Sequence, residues 1–252
     1  MKTIYRLVVM MVAVVVLLML RMPAQASEID ERIESTARNS YVFRTFLQDD
    51  DIKIKSIDGS VTLAGIVADN FNKSLAQETL AGMPGVKNVD NRLEVKGVYP
   101  TVNSDAWLRD KVKATLLFHS SVNGLKIEVN VKDGIVNLRG GATSIAQKEL
   151  AAEYAKDVEG VKGVNNEMIL IKAAKKTQTV GQKIDDASIT AQVKLSLLYH
   201  RSTSAINTKV VTNNGDVTLY GKTGSVADKN LATKIASDVN GVNSVNNRMI
   251  IE

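Results

Sequence analysis

A unit of about 70 residues recurs three times in this chain, and that repeat constrains the fold more than any other feature. Asp58-Gly59-Ser60-Val61-Thr62-Leu63-Ala64-Gly65 returns as Asp133-Gly134-Ile135-Val136-Asn137-Leu138-Arg139-Gly140, then as Asn214-Gly215-Asp216-Val217-Thr218-Leu219-Tyr220-Gly221. Twenty residues after the last glycine of each, a second signature begins at Gly85, Gly160 and Gly241 and reads Gly-Val-x-x-Val-x-Asn. The copies are offset by 75 and then 81 residues from first helix to last strand, so no insertion falls inside a copy. Three small closed units are expected, not one large domain.

Each unit reads helix, strand, strand, helix, strand. In copy two, Asp105 is placed to cap a helix reaching about His119, with Leu108, Val112, Thr115 and Leu116 on one face. Leu125, Ile127, Val129 and Val131 alternate with polar residues, the period of a half-buried strand. Asp133-Gly134 is a tight-hairpin signal, and Asn214-Gly215 solves the same problem in copy three. A second helix from about Ser144 to Val158 is expected to bury Leu150, Ala151, Tyr154 and Val158. As a crossover it makes strands two and three parallel, while strands one and two are antiparallel. The fold class is therefore α+β: three tandem αββαβ units, each a three-stranded mixed sheet with two helices on one face. Ile33, Leu108 and Ile189 are equivalent positions, as are Tyr41, Leu116 and Leu197, and Leu75, Leu150 and Leu231.

The N-terminus carries Lys2 and Arg6, then an apolar run of about 14 residues from Leu7 to Leu20, then Ala24-Gln25-Ala26. That run falls short of the roughly 20 residues a spanning helix needs, and the pattern is that of a secretory signal peptide cleaved after Ala26. The chain has no cysteine, which excludes disulfides, cysteine-held metals and a lipid-anchored N-terminal cysteine, and suits the bacterial periplasm. Net charge falls from +5 to near +2 once Lys2, Arg6 and Arg21 are removed. Neither that balance nor export calls for a nucleic-acid partner. The expected organisation is a signal peptide over 1–26, units over 27–98, 103–172 and 183–252, and a solvated, flexible linker over 173–182, with the three units folding independently.

The arrangement resembles the BON domain family, the osmotically inducible periplasmic protein-like type, here as three tandem BON domains. The carrying residues are Gly65, Gly140 and Gly221 after the second strand, and the runs from Gly85, Gly160 and Gly241. The resemblance implies a non-enzymatic periplasmic protein that is soluble after crossing the inner membrane. It implies contact with anionic phospholipid or envelope proteins under osmotic or envelope stress, with no cofactor. Three units depart from the two-unit osmotic-stress type, and the missing cysteine departs from the outer-membrane lipoprotein type.

Enzymatic motifs do not hold together. Gly221-Lys222-Thr223 looks like the end of a phosphate loop, but five residues separate Gly215 from Gly221 where four are needed, and they form a strand. His119 and His200 are equivalent and lie near helix C-termini, where the dipole favours a cation; no partners stand at zinc-ligand spacing. Asp49, Asp50 and Asp51 read as a solvated loop. Gly59, Gly134 and Gly215 serve turns, Gly65, Gly140 and Gly221 end strands, and Gly85, Gly160 and Gly241 cap helices. Asn91, Asn166 and Asn247 are placed to bond backbone groups of the last strand. Function is sought where copies differ. Trp107, the only tryptophan, stands where the others have Arg32 and Ser188. With Arg109, Lys111 and Lys113 it is the expected lipid contact, peripheral to the membrane, because an exposed indole beside cations suits an anionic interface. A protein-interaction or chaperone-like periplasmic scaffold is the alternative, and a glycan binder is disfavoured by the 4% aromatic content.

Overall fold

Each copy is built outward from its hairpin turn. In a computed structural model, which describes residues 22–96, 104–122, 124–171, 184–203 and 207–252, Asp58, Asp133 and Asn214 take φ of 52°, 54° and 51°. The glycines that follow take 79°, 81° and 81°. Two successive left-handed residues make the primed turn whose twist matches a β-ribbon. Most of the expected leader and the whole expected linker lie outside the described residues; the expected cleavage point after Ala26 lies inside the first helix.

In copy one, α1 (Met22–Asn39) and α2 (Tyr41–Thr45) precede β1 (Asp51–Ile57), β2 (Ser60–Val67), α3 (Asn70–Ala81) and β3 (Asn88–Val95). Copy two has α4 (Asp105–Phe118), β4 (Ile127–Lys132), β5 (Ile135–Ala142), α5 (Ile145–Lys156), β6 (Gly163–Asn166) and β7 (Ile169–Leu170). Copy three has α6 (Asp186–Tyr199), β8 (Lys209–Asn213), β9 (Asp216–Tyr220), β10 (Lys222–Thr223), α7 (Val226–Ser237), β11 (Ser244–Asn247) and β12 (Ile250–Ile251). In every copy the first two strands pair antiparallel and the third joins the second in parallel, as the crossover requires. Alternation buries one face: Val61 and Leu63, Val136 and Leu138, Val217 and Leu219 are all 1% exposed or less. Gly65, Gly140 and Gly221, at φ 123°, 132° and 143°, lie where a Cβ would run onto the carbonyl oxygens of Asp51, Lys126 and Asn207.

Several expectations are corrected. Ser104, not Asp105, caps α4, accepting from Trp107 N at 3.3 Å. Gly85, Gly160 and Gly241 do not cap the second helices. The C-caps are Gly82, Asp157 and Asp238, all right-handed, and the positive-φ glycines stand three residues later in the turn that feeds the last strand. Copy one's first helix breaks at Ser40, which re-caps α2, so Tyr41 is only half-buried while Leu116 and Leu197 are core. Leu150 is 38% exposed and Leu231 half-buried, whereas Leu75 is fully buried. Asp50 is not a solvated loop residue: it accepts from Ala68 N and Asn72 Nδ2 and holds the entry to α3.

The copies pack against one another. One core joins α3 of copy one to Ala114 and Phe118 of α4 and to Ala187, Ala191, Leu195 and Tyr199 of α6. Phe118 packs between Phe46 and Phe71, at ring-centroid distances of 5.8 and 5.5 Å. Two further cores belong to copies two and three alone.

Candidate functional site

Two side-chain devices recur in all three copies. The carboxylates of Asp30, Asp105 and Asp186, on the first helices, accept both turn N–H groups of their own hairpins at 2.7–2.9 Å. Hydrogen bonds from Ser56, Gly59 and Asp58 hold the Asp30 carboxyl below the usual carboxylate range. Lys73, Lys148 and Lys229 reach the carbonyls of Leu93, Met168 and Met249, and Asn91, Asn166 and Asn247 donate to the carbonyls of those same lysines. These groups hold hairpin, second helix and last strand together. Their recurrence at the repeat offsets was the signal that could have revealed them.

Copies two and three join reciprocally. Ser120 N donates to Asp238 O at 2.8 Å and Asn240 N to Phe118 O at 3.0 Å. The equivalent pair is Arg201 N to Asp157 O at 2.8 Å and Glu159 N to Tyr199 O at 3.1 Å. The two histidines sit at these junctions and not on solvated helix ends. His119, 2% exposed, stacks on Tyr154 at 3.9 Å, and its Nδ1 lies 3.1 Å from Asp238 Oδ2, misaligned for a full hydrogen bond. Burial alone would raise the Asp238 carboxyl, but His119, Ser121, Tyr154 and Ser120 outweigh it and hold it well below the usual carboxylate range. Burial lowers His200, against the opposing pull of Asp157. The serine hydroxyls donate to Asp238 and not to an imidazole, so the cluster is wired as an interface.

Copy one meets copy three through Tyr41 N on Asp185 Oδ2, Val42 N on Ser188 Oγ, and Lys194 Nζ on Glu78 Oε2. That packing explains why the copies differ where Trp107 stands. Ser188 is wholly buried against copy one, Arg32 is exposed, and Trp107 is half-buried in between.

A pocket of about 430 Å³ opens where all three copies meet. Asn70, Phe71 and Ser74 come from copy one, Trp107, Asp110, Lys111 and Glu159 from copy two, and Leu198 and Tyr199 from copy three. The four expected contact residues are divided by this geometry. Trp107 and Lys111 line the pocket, and the Lys111 ammonium rests 3.7 Å over the indole. Lys111 is 8% exposed, and burial pushes its pKa down while Glu159 resists. Arg109 is partly exposed and paired with buried Asp110 at 2.8 Å. Lys113 alone of the four is exposed. Burial and the nearby charges of Asp69 and Asp110 raise the Tyr199 phenol.

Lys222 and Thr223 belong to β10, and Lys222 pairs with Glu252 at 2.5 Å, so no phosphate loop exists there. Among the described residues, no group of three or more His, Cys, Asp or Glu is arranged to hold a metal, and no helix is long and apolar enough to cross a membrane.

The family model for the BON domain matches residues 29–97, 104–172 and 185–252. The chain is 36% identical over 143 residues to osmotically-inducible protein Y of Escherichia coli strain K12, covering 57% of this chain and 70% of that protein. It is 33% identical over 161 residues to the 21 kDa hemolysin of Actinobacillus pleuropneumoniae, covering 64% of this chain and 73% of that one. It is 32% identical over 111 residues to outer membrane lipoprotein DolP of Haemophilus influenzae, covering 43% of this chain and 57% of that lipoprotein.

Proposed function

The chain belongs to the BON domain family, and from that premise we propose that it is a non-enzymatic adaptor of the bacterial periplasm that binds phospholipid surfaces of the cell envelope under osmotic stress. One observation carries the reading. Ile145, Ile169 and Leu170 of copy two are 62%, 66% and 56% exposed, and their equivalents Val226, Ile250 and Ile251 of copy three are 61%, 59% and 48% exposed. Large apolar side chains left in water at matching places, around the start of the second helix and the end of the last strand, mark a contact surface. Two such patches on one chain combine weak contacts into avidity. The relatives named for osmotic induction and for the outer membrane support the setting. Lys113 and Arg109 supply headgroup contacts on α4, while Trp107 contributes only its free edge.

Flotation of the chain from Ser27 onward with anionic and neutral vesicles tests this. Binding is expected on anionic vesicles and is expected to weaken with salt. The Ile169→Asp/Ile250→Asp chain should lose most of it, and Lys113→Glu should cost about 1 kcal/mol or more. Absence of binding to every vesicle at low salt would overturn the lipid reading in favour of a protein-binding scaffold.

A further inference from the structure

Lys111 is a buried cation with an inadequate partner. Its side chain is 10% exposed, and the nearest carboxylate oxygen, Glu159 Oε2, stands 3.7 Å off, outside hydrogen-bond range. Glu159 itself is 53% exposed and free to leave. The Trp107 and Tyr199 rings, 3.7 and 5.3 Å from the ammonium, attract it through their faces but offer no lone pair. The ammonium is largely withdrawn from water and meets the solvent only through the pocket it lines, and that burial lowers the Lys111 pKa. A ligand anion would supply what is missing.

The rest of the lining describes the ligand. Phe71, Leu198 and Trp107 give an apolar wall. Asp110 would repel an anion, but its Oδ1 is held by Arg109 Nε and Nη2 at 2.9 and 2.8 Å. Asn70 and Ser74 add neutral polar groups. The volume of about 430 Å³ lies within the range of small-molecule sites.

We infer that this junction pocket binds a small amphiphilic anion: a carboxylate or phosphate head that replaces Glu159 on Lys111, joined to a short apolar chain lying against Phe71, Leu198 and Trp107. The inference stands apart from the envelope reading, since such a molecule arrives from solution and needs no bilayer. Because all three copies line the pocket, its occupant ties them together.

Trp107 is the only tryptophan, so its fluorescence reports on this pocket alone. The chain from Ser27 onward is titrated, below micelle formation, with decanoate and decyl phosphate, and in parallel with decanol and decyltrimethylammonium. A saturable change is expected with an anion, about tenfold tighter than with decanol, as one hydrogen bond to a charged group provides. Saturating anion should raise Tm by linkage. Comparing the two anions tells a fatty carboxylate from a phosphate lipid head. Lys111→Met should weaken the anion about tenfold. If it does not fold, Glu159→Gln serves in its place: removing the competing carboxylate should tighten the anion severalfold, which a merely structural Glu159 would not do. Equal affinity for decanol and both anions, or unchanged or weaker anion binding in Glu159→Gln, would overturn the inference. The Ile169→Asp/Ile250→Asp chain should keep its decanoate response, so the two readings fail separately.

Discussion

The second helix of copy one and that of copy two occupy the same place in the same unit, yet they meet different surroundings. Leu75 on α3 is fully buried, and its equivalent Leu150 on α5 is 38% exposed. Both carry the apolar residue the repeat demands. What differs is that α4 and α6 lie across α3, while the corresponding side of α5 at Leu150 is left open. Local sequence therefore specifies the unit, and packing between units decides which faces are spent. The first helices show the reverse. In α6, Ser188 and Gln192 are wholly buried against the other copies, positions where a lone unit would show water. A half-buried Trp107 and a wholly buried Ser188 are the same position in different company.

The strongest break of this comparison is Gly140→Val. It combines a left-handed backbone with a Cβ aimed at the Lys126 carbonyl, so about 3 kcal/mol or more is lost in copy two. Because Phe118 of copy two fills the core of copy one, the damage should spread. Calorimetry should show copies one and two melting together, and an unaltered copy one transition would mean the units are independent after all. Next, Leu75→Ala should cost about 2–5 kcal/mol, as a large-to-small change in a packed core, against about 0.5 kcal/mol for Leu150→Ala. Chemical denaturation of both variants measures the contrast, and equal losses would refute the shared core.

The junction between copies two and three sharpens the comparison through pH. The Asp238 carboxyl is lowered in the folded chain, so its contribution is complete above about pH 5 and drains away progressively as pH falls toward the lowered folded value. Asp238→Asn should cost about 1.5 kcal/mol at neutral pH, and the difference from the parent should begin to shrink below about pH 5 while most of it persists at pH 3, because the folded-state carboxyl titrates well below that. His200 is also lowered, so stability present above about pH 6.5 declines as pH falls through that value, giving an earlier and smaller step. Thermal melts from pH 8 to 3 resolve the two.

The unit itself was legible in the sequence because its determinants are local. Asp-Gly and Asn-Gly turns and period-two strands act within a few residues of one another; Gly65 and Gly140, expected to end their strands, instead lie two residues inside them, paired with Ile52 and Ile127. The hairpin clamp of Asp105 was not read, since its function depends on a turn 28 residues away; helix-start position alone made it look like a cap. The pocket was half legible. Trp107 and Lys111 stood out because they differ among copies, but their direction depended on Phe71 and Tyr199 from the other two units. The same holds for His119, whose carboxylate partner lies 119 residues downstream. Surfaces created by three chemically similar neighbours leave no periodicity of their own, whereas the exposed Ile169 and Ile250 recur at the repeat offset and could also have been found by comparing copies.

The contact of copies two and three is reciprocal, with equivalent backbone groups exchanged in both directions. Each copy offers the other the same groups in exchange, which is the self-complementarity of a two-fold homodimer. Here that dimer is folded into one polypeptide, with copy one docked across the pair and spoiling the symmetry. The covalent joint is then secondary to the interface. A protease site introduced between residues 172 and 183 should nick the chain without releasing copy three, and the fragments should travel as one particle on a sizing column. Fusion fixes the stoichiometry, and it frees each half to diverge, as Trp107 and Ser188 have done.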